Sequence, residues 1–413
     1  MTAGGDAHPT LILAHATVLL AHPTRILAKL YAMSQSAGDR IRLSVAIALL
    51  ATVCAMLFDG VFVRLDARLY DFGLSSRPAR RPANIAICGI DDDFMAGRPA
   101  DQVPRDRLAR LVDAVSATHP QAIEIDVYLS ARFDSGPEGG DAQLRAALLR
   151  ARARGVPVYL SDVAVSDIEL ALPDAPMTHG TVEPYFASAV AGTGSVAIYG
   201  GPGGVARNEI HYRGLTPIPL LIAGVLHPPA VEMADLTRRL KIEPVPLDFD
   251  GPPGTVLTAR ALDLADGPAM AWGMAGKLVF IGGTFPASRD FIATPYTSRG
   301  FGAMYGVEVL AQATDTLVRG APRHSPESPS ARADVAIAVF LLATLVAAAA
   351  DAGAWPGILA MLFGLALAVV IAVASARDPG AWQGFAWPAS PFFVGLPLAG
   401  GARSLRKKPR VRL

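Results

Sequence analysis

Apolar positions fall into two regimes along this chain: long uncharged runs near both ends, and short alternating runs between them. Residues 44–63 read SVAIALLATVCAMLFDGVFV, with a single acid, Asp59, near the close. Coiled as a helix at about 1.5 Å per residue, such a run matches a hydrocarbon core of ~30 Å. Residues 335–350, 355–376 and 385–402 repeat the pattern, the last interrupted by Pro388, Pro391 and Pro397. Prolines are tolerated in a span where neighbouring helices or water satisfy the freed carbonyls. The links Asp351–Ala354 and Arg377–Gly380 suit tight hairpins. The pattern predicts one N-terminal and three C-terminal transmembrane helices.

Flanking charge orients these spans. Arg25, Lys29, Arg40 and Arg42 precede the first run, and Arg403, Arg406, Lys407, Lys408, Arg410 and Arg412 follow the last. The positive-inside rule places both termini in the cytoplasm. A cleaved signal peptide fits less well, because the apolar run starts past residue 40 and lacks a small-x-small cleavage site. The expected organisation is a cytoplasmic leader (1–43), a span (44–63), an extracytoplasmic domain (64–332), three spans (333–402) and a basic cytoplasmic tail (403–413). That describes a multi-pass protein of the bacterial inner membrane with its large domain in the periplasm. The tail reads first as a topology anchor, and anionic membrane lipid is its natural contact. Leu13, Leu20 and Leu27 recur at heptad spacing in the leader, which Pro23 interrupts. Asp59, Asp334 and Asp351 fall at span ends, where acids reach the interface, so a pump or proton relay has little support.

Between the spans the period changes. Residues 84–90 (NIAICGI) read as a buried strand, followed by Asp91, Asp92 and Asp93. Residues 105–118 place Leu108, Leu111, Val112 and Val115 on one helical stripe, ended by Pro120. A second strand is expected over 122–127, a helix over 141–154 stopped by Gly155, and a third strand over 156–160. A fourth strand over 195–199 follows a Gly-Thr-Gly turn, a fifth covers 277–283, and a last helix covers 305–319, stopped by Gly320. Such alternation predicts an α/β fold with a mixed or mostly parallel sheet flanked by helices. At about 270 residues the block is long enough to bury its own core.

Composition narrows the chemistry. The chain is 52% hydrophobic and 18% charged, against about 25% charged in soluble domains, which excludes intrinsic disorder. A formal net charge of +1 gives no footprint for nucleic acid. Cys54 and Cys88 cannot build a disulfide framework or a zinc site alone. No G-x-S-x-G is present, the glycines at 192–194 and 200–204 read as turn and loop, and no His pair has zinc spacing. No catalytic residue, metal or cofactor is expected. Ligands of such sheets favour the carboxyl ends of the strands. Asp91 and Asp92 follow the first strand, Asp126 ends the second, and Asp290 follows the late one. If those edges are neighbours, these acids and Arg105 face one cleft. The competing readings are that they cap helices and pair with Arg105, Arg132 and Arg289, or that the acids hold a hard cation.

The stretch ICGIDDDFMAGRPADQVPRDRLARLVDAVSATHPQAIEIDVYLS (87–130) resembles the opening of the type-2 CHASE (CHASE2) sensory domain. That family has a strand ending in Ile-Asp-Asp/Glu, a Pro-Arg before a helix, matched by Pro104-Arg105, and a second strand with a buried acid, matched by Asp126. GKLVFIGGTFPASRDFIATPYTSRGFGAMYGVEVLAQATDTLVRG (276–320) resembles its closing segment, with Asp290, Thr294-Pro295 and Gly306-Val307-Glu308 in order. Asp101-Gln102-Val103 replaces the family's Trp-Pro-Trp, and Leu310 stands where a histidine is common. One span before the domain and three after it is the family's usual layout. The resemblance implies an extracytoplasmic sensory domain with Asp91, Asp92, Arg105, Asp126, Asp290 and Thr294 as candidate ligand contacts.

With eleven residues after Ala402, the cyclase or kinase output module usual in such receptors is expected to be absent. The reading is a membrane-anchored, non-catalytic protein that binds a small molecule or an extracytoplasmic protein and signals through a separate cytoplasmic or membrane partner. Small residues in 355–376 would permit a homodimer. The alternative is a structural accessory subunit of a larger membrane complex, with the domain as an interaction module.

Overall fold

β-branched and aliphatic runs bounded by glycine, proline and aspartate become strands in the computed structural model. It describes residues 67–320 apart from 69, 100–101, 135, 165–178, 197, 201–204, 210–215, 227–236, 239–244 and 268–272. The expected leader (1–43), spans (44–63 and 333–402) and tail (403–413) lie outside the described residues. Among the described residues, no helix is long and apolar enough to cross a membrane.

After helical residues at 70–75 come β1 (Ile85–Ile90), the short α1 (Asp92–Met95), α2 (Arg105–Ser116), β2 (Ala122–Asp126), α3 (Gly140–Ala153) and β3 (Val158–Ala164). The chain continues through β4 (His179–Gly180), α4 (Pro184–Ala187), β5 (Gly192–Ser195), β6 (Ile198–Gly200), β7 (Ala206–Glu209), α5 (Ile218–Val225) and β8 (Val245–Pro246). It closes with β9 (Leu257–Arg260), α6 (Ala261–Asp266), β10 (Leu278–Gly283), β11 (Phe291–Ile292), β12 (Met304–Tyr305) and α7 (Gly306–Val318). The main sheet runs β5-β3-β2-β10-β1-β9, all parallel, and β4 pairs antiparallel with the far end of β3. Two small antiparallel sheets, β6-β7-β8 and β11-β12, lie off it.

Period-two alternation divides the core. Ala86, Cys88 and Ile90 of β1, Ile123 and Ile125 of β2, and Val279 and Ile281 of β10 pack with α2, α3 and α6. Ile85, Ile87, Ala122, Leu278 and Phe280 pack on the other face with Ile218 and Ile222 of α5 and with Val307, Leu310 and Ala311 of α7. A strand buried on both faces reads as a continuous apolar run, which is why NIAICGI shows no alternation. The mostly parallel α/β architecture and the long elements agree with the sequence pattern.

The exception is 192–195. Composition reads Gly-Thr-Gly as a turn, yet Gly192–Ser195 is itself an edge strand paired with Tyr159–Asp162. Its second glycine answers crowding: a Cβ on Gly194 would lie 2.6 Å from the Thr216 carbonyl oxygen and 2.9 Å from Leu221. Turn and close approach share one composition signal. Gly155 and Gly320 do adopt positive φ, +77° and +87°, as helix stops.

Candidate functional site

Side-chain parity on β2 creates an acidic group, fully buried at Glu124 and half-buried at Asp126. Ala122, Glu124 and Asp126 alternate with the aliphatic Ile123 and Ile125, so both acids share the α5/α7 side. The neighbouring β3 presents Ser161, whose Oγ donates to Glu124 Oε1 at 2.5 Å. Glu124 is fully buried, and its Oε2 has no hydrogen-bond partner. Burial, then the nearby Asp126, push its carboxyl well above the usual range. Asp126 is pushed up to about 8, by burial and by the Asp290 charge. Burial also raises Asp290, against the Gly306 N–H that favours its charged form. Like charges that feel one another resist ionising together, so the three carboxyls titrate as a coupled group.

Two glycines make the approach possible. A Cβ on Gly282 would meet Val307 at 2.7 Å and Asp126 Cβ at 3.1 Å. A Cβ on Gly306 would collide with the Asp290 carboxylate, so that carboxylate lies against the first residue of α7, where the helix dipole is positive. Thr294 is fully buried nearby in sequence; its N–H donates to Thr297 Oγ1 at 3.0 Å, and its own Oγ1 has no partner.

The remaining candidates stand elsewhere. Asp91 caps α1, accepting from the Phe94 N–H at 2.9 Å, and takes Arg260 Nε at 2.7 Å. Those partners hold its carboxyl below the usual range against partial burial. Arg260 also binds Asp93, while Asp92 is exposed in the first turn of α1. Arg105 opens α2 on the opposite side of the sheet, 3.7 Å from Asp141 through Nε and 4.5 Å from the Phe133 ring centre. Burial pulls its guanidinium down to about 10. The structure thus joins Asp126 with Asp290 but gives Asp91 and Arg105 separate partners. Parity explains it: α2 covers the Ile123/Ile125 face, whereas Asp126 belongs to the Ala122 face. Glu124, Ser161 and Asp141 were missed; the single acid inside the apolar run AIEID was the available signal for Glu124. Among the described residues, no group of three or more His, Cys, Asp or Glu side chains is placed to hold a metal ion.

One further polar stripe runs along α7. Glu308 accepts from the Gly254 N–H at 2.9 Å, Gln312 Oε1 from the Asp250 N–H at 2.9 Å, and Thr316 Oγ1 from the Asp248 N–H at 3.1 Å. Four-residue spacing lines these acceptors on one helix face, where they replace a strand for the backbone at 248–254. Asp248 then binds Arg77 at 2.6 Å and Arg319 at 2.5 Å, and Arg80 bridges Asp250 to Asp315. The segment at 77–80 is in this way clamped to the C-terminal end of α7.

A family model described as CHASE2 domain matches residues 46–349, well over half of the 413 residues. No curated protein and no solved structure matches the chain.

Proposed function

Because this chain belongs to the CHASE2 domain family, whose members are extracytoplasmic sensory domains, we propose that it is a membrane-anchored, non-catalytic receptor that signals through a separate protein. The family match carries the reading. It begins inside the apolar run at 44–63 and closes within the run at 335–350, so the matched residues take in most of both runs. The route we propose for a signal runs along α7. Asp290 meets the start of α7, and the ion-pair clamp holds its end to residues 77–80. A helix of 13 residues, about 20 Å long, joins the two. A stimulus transmits only if it favours one placement of such an element over another.

Topology is tested by cysteine labelling of a Cys54→Ser chain in intact cells with a membrane-impermeant maleimide. Asp92→Cys, at an exposed position, is expected to label from outside, and Lys408→Cys only after permeabilisation. Native Cys88 is buried, with its thiol pushed up to about 12, and stays silent. Affinity purification of the full chain from membranes should bring down a cytoplasmic or membrane signalling protein. Inverted labelling would refute the proposal.

A further inference from the structure

Arg105 is 5% exposed, and its Nε and Nη1 are buried without a hydrogen-bond partner. Its counter-charge, Asp141, is fully buried and stands 3.7 Å from Nε, beyond hydrogen-bond reach. Asp141 Oδ2 already accepts from the N–H groups of Phe133 at 2.5 Å and Asp134 at 2.9 Å, while Oδ1 has no hydrogen-bond partner. Unused donors and an unused acceptor of opposite charge therefore lie side by side away from water. The two charges face each other as an ion pair, yet each hydrogen-bonding atom left unmet away from water costs about 1–3 kcal/mol, which a guest reaching both would recover.

The surroundings specify the guest. Phe133 lies over the guanidinium at 4.5 Å and Phe186 at 5.9 Å, giving apolar walls. Arg132 and Arg145 both stack on Tyr185, at 4.2 Å and 5.1 Å, around the same rim. Three elements converge there at the carboxyl ends of β2 and β3: the starts of α2 and α3, and α4. Ligands of open α/β sheets bind at those ends. A simple anion would satisfy Arg105 but press against Asp141, and a simple cation would do the reverse. A zwitterion satisfies both and leaves the net charge of the site unchanged.

We propose that this cluster binds an α-amino acid with an apolar or aromatic side chain, its carboxylate accepting from Arg105 and its ammonium donating to Asp141 Oδ1. The proposal rests on the sensory reading and names its ligand class. Phe133, itself 49% exposed, is the cover, and turning that one ring outward opens the guanidinium.

The test is thermal unfolding and equilibrium dialysis of the full chain in detergent, with each of the twenty proteinogenic amino acids at millimolar concentration. Two half-ligands accompany them: 3-phenylpropanoate, which lacks the ammonium, and phenethylamine, which lacks the carboxylate. At least one apolar amino acid should raise the unfolding midpoint by about 3 °C or more, and neither half-ligand should. Arg105→Lys should weaken binding about tenfold or more, since a point charge replaces the fork. Should Arg105→Lys fail to fold, Phe133→Ala, altered at a half-exposed ring, should still fold and change affinity several-fold. Three results would overturn the proposal: no amino acid shifts the midpoint, a half-ligand matches its parent, or Arg105→Lys and Phe133→Ala both bind as the native chain does. The first result means that bridging water alone satisfies the pair. If amino acids fail while another small molecule stabilises the chain, the ligand class falls and the sensory reading stands. Amino-acid binding with inverted cysteine labelling leaves the ligand standing and removes the topology.

Discussion

Asp126 and the carboxyls coupled to it, together with Asp250, shape the pH response. The folded-state pKa of Asp126, about 8, lies above the ordinary 3.8, so the folded chain holds that proton more tightly than the unfolded chain does. Stability from this source is complete below about pH 4 and is lost as pH rises toward 8. The unfolding midpoint of the full chain should therefore fall by roughly 5 °C or more between pH 5 and pH 8.5. Asp126→Asn, which mimics the protonated acid, should flatten that slope and exceed the native midpoint at the alkaline end. A native profile that rises across this window would contradict the burial of the group. Glu124 makes the same point more locally. Because it is held protonated, Glu124→Gln should change stability by less than about 1 kcal/mol, while Ser161→Ala, which strands a second buried oxygen, should cost about 1–2 kcal/mol in denaturant melts. Residue type alone marked Asp126, Asp290 and Arg105, because acids after strands and an arginine at a helix start are visible in one dimension. It did not mark Asp141, whose carboxylate matters only through the backbone at 133–134 folded over it.

Elements were legible where their period was strong and hidden where their cause was a neighbour. β1, β2, β10, α2, α3 and α7 follow from apolar spacing and stop signals within two residues of their observed ends. α5, β9 and the small sheets did not, because short segments carry too few periods to separate helix from strand. The same neighbour logic governs Gly282. Alanine there should lower stability by about 1–3 kcal/mol, because the added methyl meets Val307 at 2.7 Å and the strand cannot recede from the helix it packs on. Gly254→Ala offers a contrast of another kind: nothing stands within 4 Å of its Cβ, and its cost comes from φ of +86° alone. The clamp on α7 gives a further element-scale expectation. Arg319 reaches Asp248, Asp250 and Asp315 at 2.5, 3.3 and 2.5 Å. Arg319→Ala leaves these enclosed carboxylates to Arg77 and Arg80, and should cost about 2–4 kcal/mol by urea titration. Arg319→Lys should recover only part, since one ammonium cannot fork across them.

For the whole molecule, the decisive fact is a strand order that no local pattern reveals. β10 arrives late in the chain and inserts between β1 and β2, which puts Asp126 beside Gly282 and leaves Asp91 to Arg260 beyond β1. The single cleft expected from the sequence is in consequence three separate charge groups, and only one of them touches α7. That contact makes a long-range prediction. If α7 couples its two ends, deprotonating the Asp126–Asp290 group should loosen the N–H groups of Asp248 and Asp250, which hang on Thr316 and Gln312. Hydrogen exchange, corrected for its intrinsic pH dependence, should show those amides better protected at pH 6 than at pH 8.5. Asp250 is itself pushed up to about 7, by burial and then Asp315, and so titrates at the reporting end. Asp126→Asn separates the two causes, since it removes the distant proton and leaves Asp250 in place. If the difference in protection vanishes in Asp126→Asn, the helix carries the signal from the carboxyl edge of the sheet to residues 77–80. If the difference survives unchanged, the clamp answers only to its own acid, and α7 is not the route.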